Sequence, residues 1–353
     1  MPALALAEAL RGRGAEVSFV GVRGRGASEL LAAGGYREDL LRLRGLERRP
    51  TARNLGSLGL ALAALPRAAW LLARRRADVV VGAGGYASGP VALAAWLTRR
   101  PLLLMEADSH LGVANRLAAP FAKRVALAFP LPGRKGRRYM VTGRPVGRAV
   151  LRATRTSGRR AFGIDPNATV VLVAGGSQGA RSLNLAAVEA FGDAPPFELI
   201  HVAGPRGMEE VRGLLAERSP GPRYRLFDHL TNFPEAMAAA DLVVSRSGGS
   251  VFEITAIGRP AILVPYPHAT GDHQTKNAAW LAGAGAAVTL PDGELSGRVL
   301  RDLVGALLMD RRRLGAMADA SRALGRPEAA GQIAEAALEL ARRPRGRGRA
   351  RAV

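Results

Sequence analysis

The chain has 353 residues, 48% of them apolar and 23% charged, which suffices for two cored domains and excludes a compositionally disordered polypeptide. Cysteine is absent, so disulfides, thiolate metal sites, Fe–S clusters and cysteine nucleophiles are excluded. The formal charge is +22, but it is unevenly spread: residues 1–150 carry a net +16 and residues 151–353 only +6.

The opening MPALALAEALRGRG reads as an amphipathic helix, not a signal peptide, because no basic segment precedes the apolar run and Glu8 splits it. Short β-branched runs then alternate with Ala/Leu-rich stretches. Strands are predicted at 16–22, 78–81, 102–106, 125–129 and 139–142 in the first half. In the second half they are predicted at 169–174, 198–203, 224–227, 242–245, 261–264 and 287–290. The most apolar stretch, 58–72, is interrupted by Pro66 and Arg67 and reads as too short to span a bilayer. Strands alternating with helices imply βαβ units and largely parallel sheets. The expected fold class is therefore α/β, with two Rossmann-like domains facing across a cleft. Their expected bounds are 1–150 and 151–341, with a linker near 144–165 and a flexible basic tail at 342–353.

In open α/β sheets ligands sit beyond the carboxyl ends of strands. Three such loops in the second half are rich in glycine or hydrogen-bonding side chains. GGSQGAR (175–181) and SRSGGSVFE (245–253) each lead from a strand into a helix, so their backbone amides suit an anion. Glu253, one turn inside the second helix, suits ribose hydroxyls; the plainer reading is a helix-capping glutamate. PYPHATGDHQTKN (265–277) places Gln274 and Asn277 on one helix face, where uncharged amides suit sugar hydroxyls, or else form a solvated turn. Its histidines lack the companions for a metal site, so neither metal nor other cofactor is expected. In the first half, GAGGYASGP (82–90) is a glycine-rich loop after a strand. Glu106, Asp108 and His110 follow another and offer a general base, or else an ordinary polar loop.

Together these segments resemble the MurG-type glycosyltransferases. GGSQGAR, SRSGGSVFE and PYPHATGDHQTKN resemble their nucleotide-sugar half. GAGGYASGPVALAAW (82–96) and EADSHLGVANRLAAPFAKRVALAF (106–129) resemble their acceptor half, in the family's order along almost the whole chain. The resemblance implies the GT-B glycosyltransferase fold. It implies inverting, metal-independent transfer of GlcNAc from UDP-GlcNAc to lipid I, the lipid-linked MurNAc-pentapeptide, giving lipid II in peptidoglycan synthesis. It assigns Leu230 to the uracil, Gly248, Gly249 and Ser250 to the diphosphate, Glu253 to the ribose, and Gln274 and Asn277 to the sugar. Ser177 matches the serine of the GGSQGA loop, and His273 stands where many relatives have glutamine. Asp108 replaces the asparagine of a Glu-Gln-Asn motif. Arg148 is an anion contact displaced by one position.

In that family a strand and a glycine-rich loop ending in histidine precede the Pro2-Ala3-Leu4-Ala5 segment. The resemblance therefore predicts an acceptor sheet lacking a central strand, with Glu106, Asp108 and His110 as the remaining bases. The +16 half is the acceptor half, and lipid I sits in an anionic leaflet. Trp70, Leu71 and Leu72 beside Arg74, Arg75 and Arg76 are accordingly expected to meet the membrane at its cytoplasmic face; the plainer reading is a core-packed helix with a solvated end. Two neighbouring readings stay open: a transferase of the same fold using another UDP-sugar and lipid, and an inactive UDP-sugar-binding relative. A nucleic-acid partner is not expected, since aromatics are only 5% and no RNA or DNA motif is present.

Overall fold

The computed structural model describes residues 2–23, 28–45, 52–85, 87–342 and 351–352. The chain divides into one unit of residues 1–147 with 327–353 and another of residues 148–326.

The first unit runs α1 (Pro2–Arg11), β1 (Glu16–Val22), α2 (Ser28–Ala33), β2 (Arg37–Leu41), α3 (Ala52–Arg74), β3 (Val80–Gly82), α4 (Ser88–Leu97), β4 (Leu102–Glu106), α5 (Val113–Ala118), β5 (Arg124–Leu127) and β6 (Tyr139–Val141). Its strands do not form one sheet. β1 and β2 pair in parallel, and β3-β4-β5-β6 form a separate parallel sheet. A cavity of about 120 Å³ is lined by β1 (Val17 to Val20) and β3 (Val80 to Gly82), with α1 and α4 completing its walls. Among the described residues no strand bridges β1 and β3.

The second unit runs α6 (Arg148–Arg152), α7 (Arg155–Ala161), β7 (Val170–Ala174), α8 (Arg181–Phe191), β8 (Glu198–Val202), α9 (Met208–Ala216), β9 (Tyr224–Phe227), α10 (Phe233–Ala239), β10 (Leu242–Ser245), α11 (Val251–Ile257), β11 (Ala261–Leu263), α12 (His273–Gly283), β12 (Ala287–Thr289), α13 (Gly297–Met309) and α14 (Arg311–Leu324). Its six strands form one parallel sheet in the order β12-β11-β10-β7-β8-β9. All five residues of β7, VVLVA, are buried, as expected of a strand covered on both faces. The strand order reverses between β7 and β10, so the loops after these two strands flank the switch point where such sheets bind ligands.

Every expected strand is present within two residues of its expected ends. β2 was not expected: REDLL is mostly charged, and β1 pairing, not its own propensity, holds it extended. The expected linker is also corrected. Residues 144–165 hold α6 and α7, and both pack in the second unit. Gly158 is a helix–helix contact, since a Cβ there would lie 2.3 Å from the Glu235 carbonyl of α10. Thr154 and Ser157 form a reciprocal cap at the start of α7.

The second boundary moves too. α15 (Ala329–Arg342) returns to the first unit, where Ile333, Ala334 and Ala337 join Leu6, Leu10, Val79 and Leu103 in one core cluster. Of the expected tail, 343–350 and Val353 lie outside the described residues. Arg351–Ala352 (β13) pair with Glu16 and Val17 on β1.

The expected membrane face is overturned in part. α3 is longer than 58–72, and Asn54–Arg74 is long and apolar enough to cross a membrane by length and composition. One face of it is nevertheless core. Leu71 and Leu72 are 1% and 0% exposed and pack with Ala68, Val80 and Leu104. Helical rotation turns them away from Trp70, which is exposed between the guanidinia of Arg67 and Arg74. Arg75 is held by Asp39 at 2.6 Å, and Arg74 and Arg76 are exposed.

Candidate donor and acceptor sites

In the second unit, the β7–α8 loop is compressed against the β8–α9 loop. A Cβ at Gly179 would lie 2.0 Å from the Ala203 carbonyl, and Gly179 has φ 79, so only glycine fits there. Ser177 is exposed at the tip of the loop. Leu230 is buried and anchors the loop after β9. Arg148, the first residue of α6, is exposed.

The loops after β10 and β11 are tied together. Ser247 Oγ donates to the Gln274 carbonyl at 2.8 Å, and Asn277 Nδ2 donates to the Ser247 carbonyl at 2.9 Å. Asn277 is 3% exposed, so it fixes the start of α12 more than it meets solvent. The Tyr266 N–H donates to Gln274 Oε1 at 3.0 Å. This sets the amide's orientation and leaves Nε2 as its donor, directed at Gly248. Gly248, Gly249 and Ser250 are half-buried at the entry to α11, and Ser250 Oγ donates back to the Arg246 carbonyl. Glu253 is half-buried one turn in. The His273 ring approaches the Thr270 carbonyl at 2.8 Å, so its Nδ1 is the donor and Nε2 faces away from that bond.

Beneath these loops lies a partly buried ion pair. Arg246 Nη1 donates to Asp292 Oδ1 at 2.6 Å, Nη2 donates to Ser182 Oγ at 2.7 Å, and Ser182 Oγ donates to Asp292 Oδ1 at 2.7 Å. Nη1 also reaches the Val264 and Pro265 carbonyls at 3.2 Å each.

In the first unit, a groove of about 920 Å³ runs from Gly84 and Gly85 past Asp108 to the apolar faces of α3, α4 and α5. Tyr86 of the same glycine-rich loop lies outside the described residues. Glu106 is 6% exposed and fully engaged: Oε1 accepts from the Asp108 N–H, and Oε2 from the Gly112 N–H and Asn115 Nδ2. Its carboxylate holds the 107–112 loop closed. Glu106 and Asp108 line the groove; His110 does not, and its Nδ1 is buried without a hydrogen-bond partner among the described residues. The groove's outer rim exposes Leu58, Leu62, Val113, Leu117 and Phe121, with Arg44 also in its lining. Trp96 stacks on Phe121 at 4.8 Å between ring centroids.

Residues 1–127 match the model of the glycosyltransferase family 28 N-terminal domain, and residues 170–333 that of its C-terminal domain. A relative from Rubrobacter xylanophilus is 39% identical over 345 residues, covering 97% of this chain and 100% of that protein. One from Halothermothrix orenii is 38% identical, covering 92% and 91%. Both are named UDP-N-acetylglucosamine--N-acetylmuramyl-(pentapeptide) pyrophosphoryl-undecaprenol N-acetylglucosamine transferase. The chain belongs to glycosyltransferase family 28. The crystal structure of Acinetobacter baumannii MurG superposes with a TM-score of 0.75 at 28% identity, covering 96% of this chain and 95% of that one. A UDP-GlcNAc 2-epimerase from Neisseria meningitidis, at 16% identity and a TM-score of 0.67, shares the fold.

Within this family 28 chain, sequence reasoning missed Arg246, Ser182 and Asp292 as a unit. Arg246 stood inside a quoted motif, but Asp292 is 46 residues further on and carries no local signal. Asn115 was likewise missed, although it donates to both Glu106 and the Met105 carbonyl.

Proposed function

We propose that the chain transfers GlcNAc from UDP-GlcNAc to the undecaprenyl-pyrophosphoryl MurNAc-pentapeptide, with inversion. The observation that carries this is the name shared by relatives 38–39% identical over nearly their whole length. The acceptor's 4-hydroxyl oxygen attacks the anomeric carbon as the bond to the diphosphate breaks, and UDP departs. Leu230, the Gly248–Ser250 amides and Glu253 hold the nucleotide, with Ser177 and Arg148 as further anion contacts; backbone N–H groups offset the charge on the leaving diphosphate. Gln274 and His273 face the sugar, and Asn277, buried beneath them, holds the start of α12 through the Ser247 carbonyl. Of the three candidate bases, Glu106 and Asp108 both line the groove, but the Glu106 carboxylate is committed to the Asp108 and Gly112 N–H groups and to Asn115 Nδ2. Asp108 takes the hydroxyl proton, and Glu106 and His110 shape its loop.

Calorimetric titration with UDP-GlcNAc tests the donor site. Binding is expected, weakened about tenfold in Glu253→Ala by loss of charged hydrogen bonds to ribose. A folded wild-type protein that binds neither UDP nor UDP-GlcNAc refutes the assignment. Binding without transfer to lipid I instead supports the inactive-relative reading, which the divided sheet of the first unit favours.

The membrane-facing surface is moved to the groove rim formed by α3, α4 and α5, where Leu58, Leu62, Leu117 and Phe121 are exposed beside Arg44 and Arg116. A contiguous apolar patch with basic neighbours suits an anionic leaflet. The double variant Leu58→Glu, Leu117→Glu is expected to lose about tenfold or more in partitioning to phosphatidylglycerol vesicles while UDP affinity holds. Equal partitioning of variant and wild type rejects this surface.

A further inference from the structure

Arg246 joins three loops of the proposed donor site, and its side chain has four hydrogen-bond partners. Its side chain is 10% exposed and bonds Asp292, Ser182 and the carbonyls of Val264 and Pro265. Ser182 follows GGSQGAR directly, Arg246 itself precedes Ser247 and Gly248, and Val264 follows β11 immediately before PYPHATGDHQTKN. One guanidinium thus anchors the base of all three.

One of those bonds reaches further. The Pro265 carbonyl and the Tyr266 N–H belong to the same peptide group. Arg246 Nη1 donates to the carbonyl end at 3.2 Å, and the N–H end donates to Gln274 Oε1 at 3.0 Å. A cation on the carbonyl polarises the peptide and strengthens its N–H as a donor. Gln274 is thereby held with Oε1 inward and Nε2 outward. Were this peptide free to rotate, the amide could flip and present an acceptor where the site now presents a donor.

We infer that Arg246 is a positioning residue for donor-sugar recognition, acting through the Pro265–Tyr266 peptide on Gln274, with Asp292 and Ser182 fixing the guanidinium. The inference rests on the donor-site reading above, in which Gln274 faces the sugar. Arg246 does not touch the ligand. It determines which hydrogen-bonding group Gln274 offers.

The test measures KM and kcat with UDP-GlcNAc and UDP-glucose, and Kd for UDP alone, for wild type, Gln274→Ala, Arg246→Lys, Asp292→Asn and the double variant Arg246→Lys, Gln274→Ala. Gln274→Ala is expected to reduce the preference for UDP-GlcNAc about tenfold, the value of one well-placed hydrogen bond. Arg246→Lys and Asp292→Asn should reduce it comparably, chiefly through KM, while Kd for UDP changes less than about threefold. The double variant should lose no more preference than Gln274→Ala, because both changes remove one interaction. A Gln274→Ala protein with unaltered preference and unaltered KM for UDP-GlcNAc overturns the sugar-reading assignment and the inference with it; where only KM rises, Arg246→Lys and Asp292→Asn are compared on KM in the same way. A reduced preference in Gln274→Ala but not in Asp292→Asn overturns the inference alone. So does additivity in the double variant, or a lowered melting temperature with preference intact. Asp292→Asn keeps Arg246 and a hydrogen-bonding side chain at the site, so it decides the matter if Arg246→Lys does not fold.

Discussion

Replacing Asp241 by alanine is expected to lower the unfolding free energy by about 3–5 kcal/mol, the cost of leaving a buried cation without its partner. Asp241 precedes β10 and sits beneath the sheet. Oδ2 accepts from Arg159 Nη2 at 2.8 Å and from the Val170 N–H at 2.9 Å, and Oδ1 from Arg155 Nη2 at 3.2 Å. The Arg159 side chain is only 3% exposed. Burial pushes its guanidinium below the usual arginine range, and Asp241 opposes that shift. Without the carboxylate, a desolvated cation keeps only the neutral Asp165 and Pro166 carbonyls and loses its counter-charge, and a strand N–H loses its acceptor. Urea unfolding of wild type and Asp241→Ala reads the loss directly. Adding Arg159→Met should recover a large part of it, because the uncompensated charge is then gone. An Asp241→Ala protein within 1 kcal/mol of wild type would refute this account.

The second unit was the more legible in sequence, for a physical reason. Its strands are buried on both faces, so VVLVA at 170–174 and LVVS at 242–245 appear as continuous apolar runs. Its loops carry glycines at close approaches such as Gly179 against Ala203, and that pattern is visible in one sequence. What the sequence could not convey was long-range pairing. Arg246 with Asp292, Arg159 with Asp241, and Glu106 with Asn115 are all joined by folding and not by spacing. Gly158 read as a linker residue because helix–helix contact and chain flexibility both select glycine. In α3 the apolar residues and the basic end were recognised, but not which residues turn inward. Leu71 and Leu72 were offered to the membrane and belong to the core, while Leu58 and Leu62 are exposed.

The roles of Glu106 and Asp108 separate for a related reason. Neighbouring carboxylates suggest shared chemistry, and both line the groove, yet Glu106 is buried under three N–H donors while Asp108 is half-buried. A glutamate so engaged stabilises the loop that presents its neighbour. Sequence proximity located the pair, and only hydrogen bonding assigned its members.

Acidification should weaken the second unit through His201, by about 2 kcal/mol between pH 7.5 and pH 5. This ring is fully buried, with Nδ1 2.7 Å from the Tyr224 hydroxyl and Nε2 3.2 Å from Asn184 Oδ1. Asn184 donates through Nδ2 to the Ala203 carbonyl, so its Oδ1 accepts, Nε2 carries the proton and Nδ1 accepts from Tyr224. Burial pushes His201 from 6.5 down to about 3 and raises Tyr224 above the usual tyrosine range. A histidine with a depressed folded pKa binds its proton more readily when unfolded. The stability it carries is therefore complete above 6.5 and falls as pH drops from 6.5 toward 3, at about 1.4 kcal/mol per unit. His201→Gln should flatten the dependence over that window, at some cost at neutral pH. Urea unfolding of both proteins at pH 7.5 and 5.0 checks this, and equal slopes would rule it out. The functional consequence follows from position. Asn184 lies on α8 just after GGSQGAR, and the Ala203 carbonyl it holds is the one packed on Gly179. With a folded-state pKa of about 3 the ring stays neutral above pH 5, so Nδ1 goes on accepting from the Tyr224 hydroxyl and the network under that loop stays intact in the folded protein. UDP affinity of the folded protein should consequently show no His201-dependent change between pH 7.5 and 5, while the folded population falls.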